Sequence, residues 1–269
     1  MPKQLELNKI YKQDSLSFLD RLKQDEISPD LIFTDPPYNL SGSNLKLTNN
    51  TTGGSFYKVN EAWDTMEEDE YFDFTYKWIE KSFNIQKDGA SIYVCCSYHN
   101  IGEVTMAIKQ VGYSIKNIIT WAKTNPMPSI TKRTYTHSSE FIVYAVKNKK
   151  WTFNYDVLKE INPERTKEGQ NRQMRDVWSL PQCQGQERIK DPKTKRAIHP
   201  TQKLEELVKR AVLASSNEND LVLDLFMGSG TTAVVAQRYN RAFIGCDLEE
   251  KYIDVANKRL QKEQTCKRT

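Results

Sequence analysis

The chain has 269 residues, 38% hydrophobic and 28% charged, with a formal net charge of +4. Its apolar runs fall far short of the roughly 20 residues that a membrane span needs. Its opening MPKQLELNKI lacks the apolar core of a secretion signal, and its five scattered cysteines show no CxxC spacing, which disfavours a disulfide framework or structural zinc and leaves a globular cytoplasmic protein as the expectation.

In chain order, NKIYKQ (8–13) reads as extended, SLSFLDRL (15–22) as a helix opening after Asp14, and DLIFT (30–34) as a short buried strand. From Asn39 to Ala62 the chain is rich in Asn, Thr, Ser and Gly. That is the composition of a long mobile loop, which compact domains rarely keep without a functional reason. A helix is expected around 68–85, then a strand at 91–97, a helix at 100–111, and strands at 115–123 and 140–147. Residues 148–197 read as irregular, with Trp151, Phe153, Tyr155 and Trp178 interleaved among charges. A helix at 203–216 leads into DLVLDLFMGSGTTAVVAQRY (220–239), a buried strand, a Gly-rich turn and a helix. RAFIGCDLEEKYIDVANKRL (241–260) adds a strand ending at Asp247 and a terminal helix. The alternation predicts an α/β fold with a doubly wound, mainly parallel sheet.

Charge is unevenly spread. Residues 121–203 hold 17 Lys/Arg against 8 Asp/Glu, an excess of nine positive charges, while the remainder is net negative by five. Such a segment suits a polyanion.

Two stretches carry chemistry. In DLFMGSGTT (224–232), the Gly228-Ser229-Gly230 turn between strand and helix lets a ligand approach the backbone closely. Asp247, at the end of the next strand, can accept hydrogen bonds from ribose hydroxyls. Together they point to an adenosine-containing cofactor. Positions 228–233 read GSGTTA rather than GxGxxG, and no Lys follows Gly230 as a P-loop requires.

The second stretch is TDPPYNL (34–40). An exocyclic amine on a nucleobase is a poor nucleophile because its lone pair is delocalised into the ring. Acceptors at both amino hydrogens would favour a pyramidal nitrogen and stabilise the charge that develops during transfer. The Asp35 carboxylate and the Pro36 carbonyl can be those acceptors, with Pro36 and Pro37 fixing the backbone and Tyr38 offering a stacking face.

Taken in order, DPPY (35–38), HPTQK (199–203), DLFMGSGTT (224–232) and FIGCDLEEKYIDVANKRL (243–260) resemble the permuted, β-group DNA amino-methyltransferases that use S-adenosyl-L-methionine. TWAKTNPMPSITKRTYTHSSEFIVYA (120–145) is similar to the small GATC-modifying adenine-N6 methyltransferases of restriction–modification systems. The resemblance implies a circularly permuted seven-stranded sheet of order 3-2-1-4-5-7-6, with strand 7 antiparallel. The third strand would end at Asp14 and the fourth at Thr34-Asp35. It divides the chain into a catalytic half (1–147), a basic target-recognition lobe (148–197) and a cofactor-binding half (198–269). It implies Asp14 near the cofactor's adenine, Asp247 at its ribose, and Phe226, Gly228 and Gly230 at the methionine end. Thr201 and Lys203 would hold the methionine carboxylate, with His199, Asp224 and Asp35 completing the cofactor site. Lys132, Arg133, His137, Arg172 and Arg175 become the candidate DNA contacts. A homodimer, and a cognate restriction endonuclease without a stable complex, are further implications. The chain departs from the family pattern at Leu204, where Pro often follows HPTQK, and at Asp224-Leu225-Phe226, where DPF is common.

No Pro precedes a Cys, which disfavours C5-cytosine methylation, and the three histidines lack metal-ligand spacing. Cytosine-N4 methylation is the alternative, because the same acceptors serve that amine. The resemblance links an acidic residue before PPY mainly to adenine.

Overall fold

A computed structural model describes residues 4–39, 46–47, 56–57, 66–129 and 132–268. The first βαβ unit is β1 (Lys9–Lys12), α1 (Ser15–Gln24) and β2 (Leu31–Thr34). Asp14 does not end β1; it caps α1, its carboxylate accepting from the Ser17 N–H at 2.9 Å. The short strands β3 (Lys46–Leu47) and β4 (Phe56–Tyr57) pair antiparallel. The mobile-loop expectation for 39–62 otherwise lies outside the described residues beyond Asn39.

The chain continues through α2 (Glu68–Ile85), β5 (Ser91–Cys96), α3 (Ile101–Val111), β6 (Ser114–Lys123) and β7 (Ser139–Val146). The basic segment contributes α4 (Tyr155–Ile161) and β8 (Val177–Leu180). Then come α5 (Glu205–Ser215), β9 (Leu221–Asp224), α6 (Thr231–Arg238), β10 (Ala242–Asp247) and α7 (Glu250–Arg268).

Eight of the described strands form one sheet of order β1-β10-β9-β2-β5-β7-β6-β8, apart from the β3–β4 pair. Within this sheet only β7 runs against its neighbours; the other pairs are parallel. The first seven strands reproduce the implied order, but the sheet has eight. The segment 148–197 is therefore less irregular than its sequence suggests, since β8 extends the sheet beyond β6. Of its four residues only Trp178 is buried, and its indole N–H donates to the Arg175 carbonyl at 2.9 Å. One anchored aromatic among charges leaves little periodicity to read.

The sheet is buried on both faces because successive residues of β2 and β5 enter opposite cores. Leu31, Phe33 and Cys95 pack with residues of α5 and α6, while Ile32 and Cys96 pack with residues of α1, α2 and α3. Parallel strands covered in this way read as continuous apolar runs, which is why LIFT and SIYVCC are buried throughout. All parallel strands aim their carboxyl ends at one edge, where open sheets bind ligands at the switch in strand order. That switch lies between β9 and β2.

Gly230 adopts φ +79°, and a Cβ there would lie 2.5 Å from Ala256 Cβ, so α6 and α7 meet closely only because the position is bare. Gly230→Ala is expected to lower unfolding free energy by about 1–3 kcal/mol through strain and overpacking, measured by urea denaturation against the parent chain.

Candidate active site

The site begins where β2 runs out. Leu31 to Thr34 are buried, and the chain surfaces at Asp35, with Pro36 and Pro37 buried and Tyr38 half-buried. Thr34 Oγ1 donates to Asp224 at 3.0 Å, tying this end to β9. The Pro37 carbonyl accepts from Tyr71 of α2 at 2.9 Å, and the Asn100 amide donates to the same tyrosine oxygen at 2.6 Å. Two elements thus hold the turn from behind. Among the described residues, no group donates to the Pro36 carbonyl.

The Asp35 carboxylate is held from both sides. Tyr38 donates its hydroxyl to Oδ1 at 2.8 Å, and Lys203 donates to Oδ2 at 2.6 Å. The Lys203 ammonium also lies 5.1 Å from the centroid of the Tyr38 ring, where a cation favours the π face. Glu140 of β7 adds a second carboxylate: its Oε1 accepts from Lys123 at 2.5 Å, and its Oε2 lies 3.7 Å from Lys203 Nζ. Charges therefore alternate in space as Asp35, Lys203, Glu140, Lys123. Burial pushes the Asp35 carboxyl above its usual range, although Lys203 and the Tyr38 hydroxyl pull it back. Burial would depress the Lys203 ammonium, but Asp35 and Glu140 outweigh it and raise it. Burial would likewise raise Glu140, yet the two lysines hold it below the ordinary value.

Beside this cluster lies a cavity of about 540 Å³ lined by Asp14, Leu16, Asp35–Tyr38, Phe74, His199–Lys203, Phe226, Gly228, Asp247–Glu249 and Tyr252. Gly228 adopts φ +50°, and a Cβ there would lie 2.9 Å from His199 Nε2, so the turn can pass under the imidazole only as glycine. Asp247 accepts from the Gly228 N–H at 2.7 Å and from the Glu249 N–H at 2.9 Å. Each oxygen keeps lone-pair capacity for a diol. Phe226 is fixed edge-on by Phe74 and Trp78, at centroid distances of 6.1 and 5.8 Å. This set fits an adenosine that carries a cation and a carboxylate: a diol acceptor at Asp247, apolar walls at Leu16, Phe226 and Leu248, and an ammonium at Lys203.

Most of the motif residues thus share one cavity: Asp14, Asp35, Pro36, Pro37, Tyr38, His199, Thr201, Lys203, Phe226, Gly228 and Asp247. Two do not line it. Asp224 is buried beneath, accepting from Thr34, Thr232 and the Phe226 N–H, and Gly230 opens α6 against α7. Burial pushes the Asp224 carboxyl up to about 7, against three donors that pull it down.

The candidate DNA contacts divide. Lys132, Arg133 and His137 are exposed on the β6–β7 connection, which leaves the same carboxyl edge as Asp35, and His137 stacks on exposed Tyr98 at 4.8 Å. Arg172 and Arg175 precede β8, whose first residue, Val177, pairs with Thr120 near the carboxyl end of β6; Arg175 is paired with Glu164 at 2.7 Å.

Glu140, Lys123, Trp121, Arg188 and Tyr252 also line the cavity and stand outside the site read from the sequence. Glu140 is an acidic residue at the start of an otherwise apolar strand, SEFIVYAV, and that break in pattern is its only local signal.

Burial, with the Lys203, Arg188 and Lys251 charges, lowers the His199 imidazole from 6.5 to about 3. Because its folded-state pKa is depressed, the stability from burying the neutral ring is present above about pH 6.5 and is lost as pH falls toward 3. An NMR titration of the His199 ring, assigned by its absence in His199→Gln, is expected to show a midpoint well below 6.5; a midpoint at the ordinary value contradicts this.

Comparison with known proteins agrees with the geometry. The family model N6_N4_Mtase, described as DNA methylase, matches residues 29–258. The chain is 41% identical over 257 residues to the Type II methyltransferase M2.LlaDCHI of Lactococcus lactis subsp. cremoris, covering 94% of this chain and 88% of that protein. It is 40% identical over 255 residues to the Type II methyltransferase M2.DpnII of Streptococcus pneumoniae, covering 93% and 88% respectively. The solved M1.HpyAVI–SAM complex superposes with a TM-score of 0.68 at 29% identity, covering 94% of this chain and 98% of that one. The chain belongs to the N6_N4_Mtase family of DNA methylases and is an S-adenosylmethionine-dependent DNA methyltransferase.

Proposed function

We propose that the chain methylates N6 of an adenine flipped out of a short DNA site, GATC being the first to test, as the modifying partner of a restriction endonuclease. The observation that carries this reading is Asp35 itself, an acidic residue ahead of PPY, held beside an unengaged Pro36 carbonyl and a stacking tyrosine. N6 is inaccessible in the duplex, so the base must leave the stack to reach this edge of the sheet. Tyr38 offers its ring to the base. Asp35 and the Pro36 carbonyl accept one amino hydrogen each, which orients the nitrogen and stabilises its developing charge. When bound, the cofactor supplies an electrophilic methyl group on a positively charged sulfur. Asp247 holds its ribose, and Lys203 its carboxylate as a point charge. Lys132, Arg133 and His137 contact the DNA near the flipped base; Arg172 and Arg175 contact it from the basic lobe, 148–197, which reads the site. A homodimer is the proposed assembly. No helix of the described residues is long and apolar enough to cross a membrane, and Cys95, Cys96, Cys183 and Cys246 are free and buried. That thiol state suits the reducing cytoplasm, where we place the chain.

Transfer of labelled methyl groups to defined duplexes, followed by nucleoside analysis, tests the reading. N6-methyladenine is the expected product; N4-methylcytosine selects the other amine, and labelled RNA or protein without labelled DNA rejects both. Asp35→Ala is expected to lower kcat by at least about 100-fold while cofactor binding stays measurable by calorimetry. Tyr38→Ala is expected to weaken base capture, read as a reduced signal from 2-aminopurine placed at the target position.

A further inference from the structure

Glu140 enters the site from β7, outside the DPPY, HPTQK and glycine-turn motifs. Its Oε1 is taken by Lys123 at 2.5 Å. Its Oε2 is buried with no hydrogen-bond partner among the described residues and faces Lys203 Nζ at 3.7 Å. A buried carboxylate oxygen is costly to leave unsatisfied. Lys203 meanwhile directs its short bond to Asp35 at 2.6 Å.

This arrangement bears on what the reaction asks of Asp35. Tyr38 and Lys203 each donate to one of its oxygens, so an incoming amine hydrogen finds a remaining lone pair, but on a carboxylate whose charge the Lys203 ammonium already offsets. We propose that Glu140 is a positioning residue that takes over the Lys203 ammonium as the target amine docks, leaving Asp35 Oδ2 a stronger acceptor for the amine hydrogen. The inference rests on the reading of Asp35 as the amine acceptor and deepens it. The required shift is small, about 1 Å, because a charge-assisted N–H···O bond closes near 2.7–2.9 Å. The ammonium stays buried and paired at either end of that shift, so no new desolvation cost arises. Lysine suits such a transfer because its ammonium is a compact charge on a flexible stem with three rotatable donors, whereas a guanidinium fork would lock onto one carboxylate. Lys123 anchors the other oxygen of Glu140, so the receiving carboxylate stays in place while Lys203 moves.

Single-turnover methylation by Glu140→Gln tests this role. The rate is expected to fall by about 10- to 100-fold, the cost of a misplaced reacting group, while cofactor affinity and the KM for DNA stay near the parent's. The pH profile adds a readout that a merely structural role would not move. The charged and titratable groups facing Asp35 are Lys203, Tyr38, Glu140, Cys95 and Cys96, with Asp224 beneath. Glu140 is among the influences that raise Asp35, so its neutralisation is expected to move the acid limb of the rate to lower pH. An unchanged rate, an unmoved acid limb, or a matching loss of cofactor affinity overturns the inference. Should the Gln variant fail to fold, Glu140→Asp keeps the charge but draws it back from Lys203, and its single-turnover rate decides by the same standard. Asp35→Ala is run alongside. If it remains active, the amine-acceptor reading itself falls; if it is inactive while Glu140→Gln is fully active, only the role of Glu140 falls.

Discussion

A carboxylate drawn out of water must be compensated by cations and hydrogen-bond donors, and for Asp35 the compensating charge comes from Lys203, 168 residues away in sequence. The rest of the site is arranged around that pairing. Lys203 stands between β8 and α5, where its own carbonyl accepts from Thr231 of α6 at 3.3 Å. The adjacent Gln202 is clamped to the preceding loop, accepting from the Ile189 N–H at 3.0 Å and donating to the Glu187 carbonyl at 2.8 Å. Catalytic turn, recognition segment and glycine turn therefore share one small set of polar contacts.

That sharing places two demands on one edge of the sheet. A base must reach acceptors that are polar yet shielded, and a cofactor must lie near enough to hand over its methyl group. Apolar support comes from α2, whose Phe74 and Trp78 hold Phe226, while Tyr71 of the same helix steadies the Pro37 carbonyl. Asn39 exchanges two 2.8 Å hydrogen bonds with Met66, fastening the chain leaving DPPY to the chain entering α2. One helix thus keeps the base side and the cofactor side in register, as near-attack geometry requires.

Much of this was legible in the sequence because each motif combines a backbone signal with a chemical one. GSG marks a turn at the end of an apolar strand, and DPPY follows another such strand, so both fall at the carboxyl edge of a parallel sheet. Position alone then brings Asp14, Asp35, Gly228 and Asp247 together. Glu140 was opaque for the opposite reason. Its meaning lies in the antiparallel register that sets Phe141 beside Cys96 and so brings the start of β7 near Asp35, and no local pattern encodes a partner strand. Strand β8 was hidden by its neighbours: the charges around Trp178 mask a ladder that only the edge of β6 reveals. A basic composition has the same limit, since it says that a segment meets a polyanion but not which of its residues reach the reacting edge.

The permuted order has a consequence for biosynthesis. β2, which carries the catalytic turn, is made early, whereas β9, its parallel neighbour in the sheet, is separated from it by 190 residues at the Thr34–Asp224 bond. On the ribosome, the acidic turn emerges long before its lysine, its supporting strand or the glycine turn. Contacts this distant in sequence close late because loop entropy must first be overcome. The nascent chain consequently carries DPPY without a cofactor pocket, and methyl-transfer competence arrives only when β9 and β10 slot between β1 and β2. Insertion of the last central strands is thus also the assembly step of the active site.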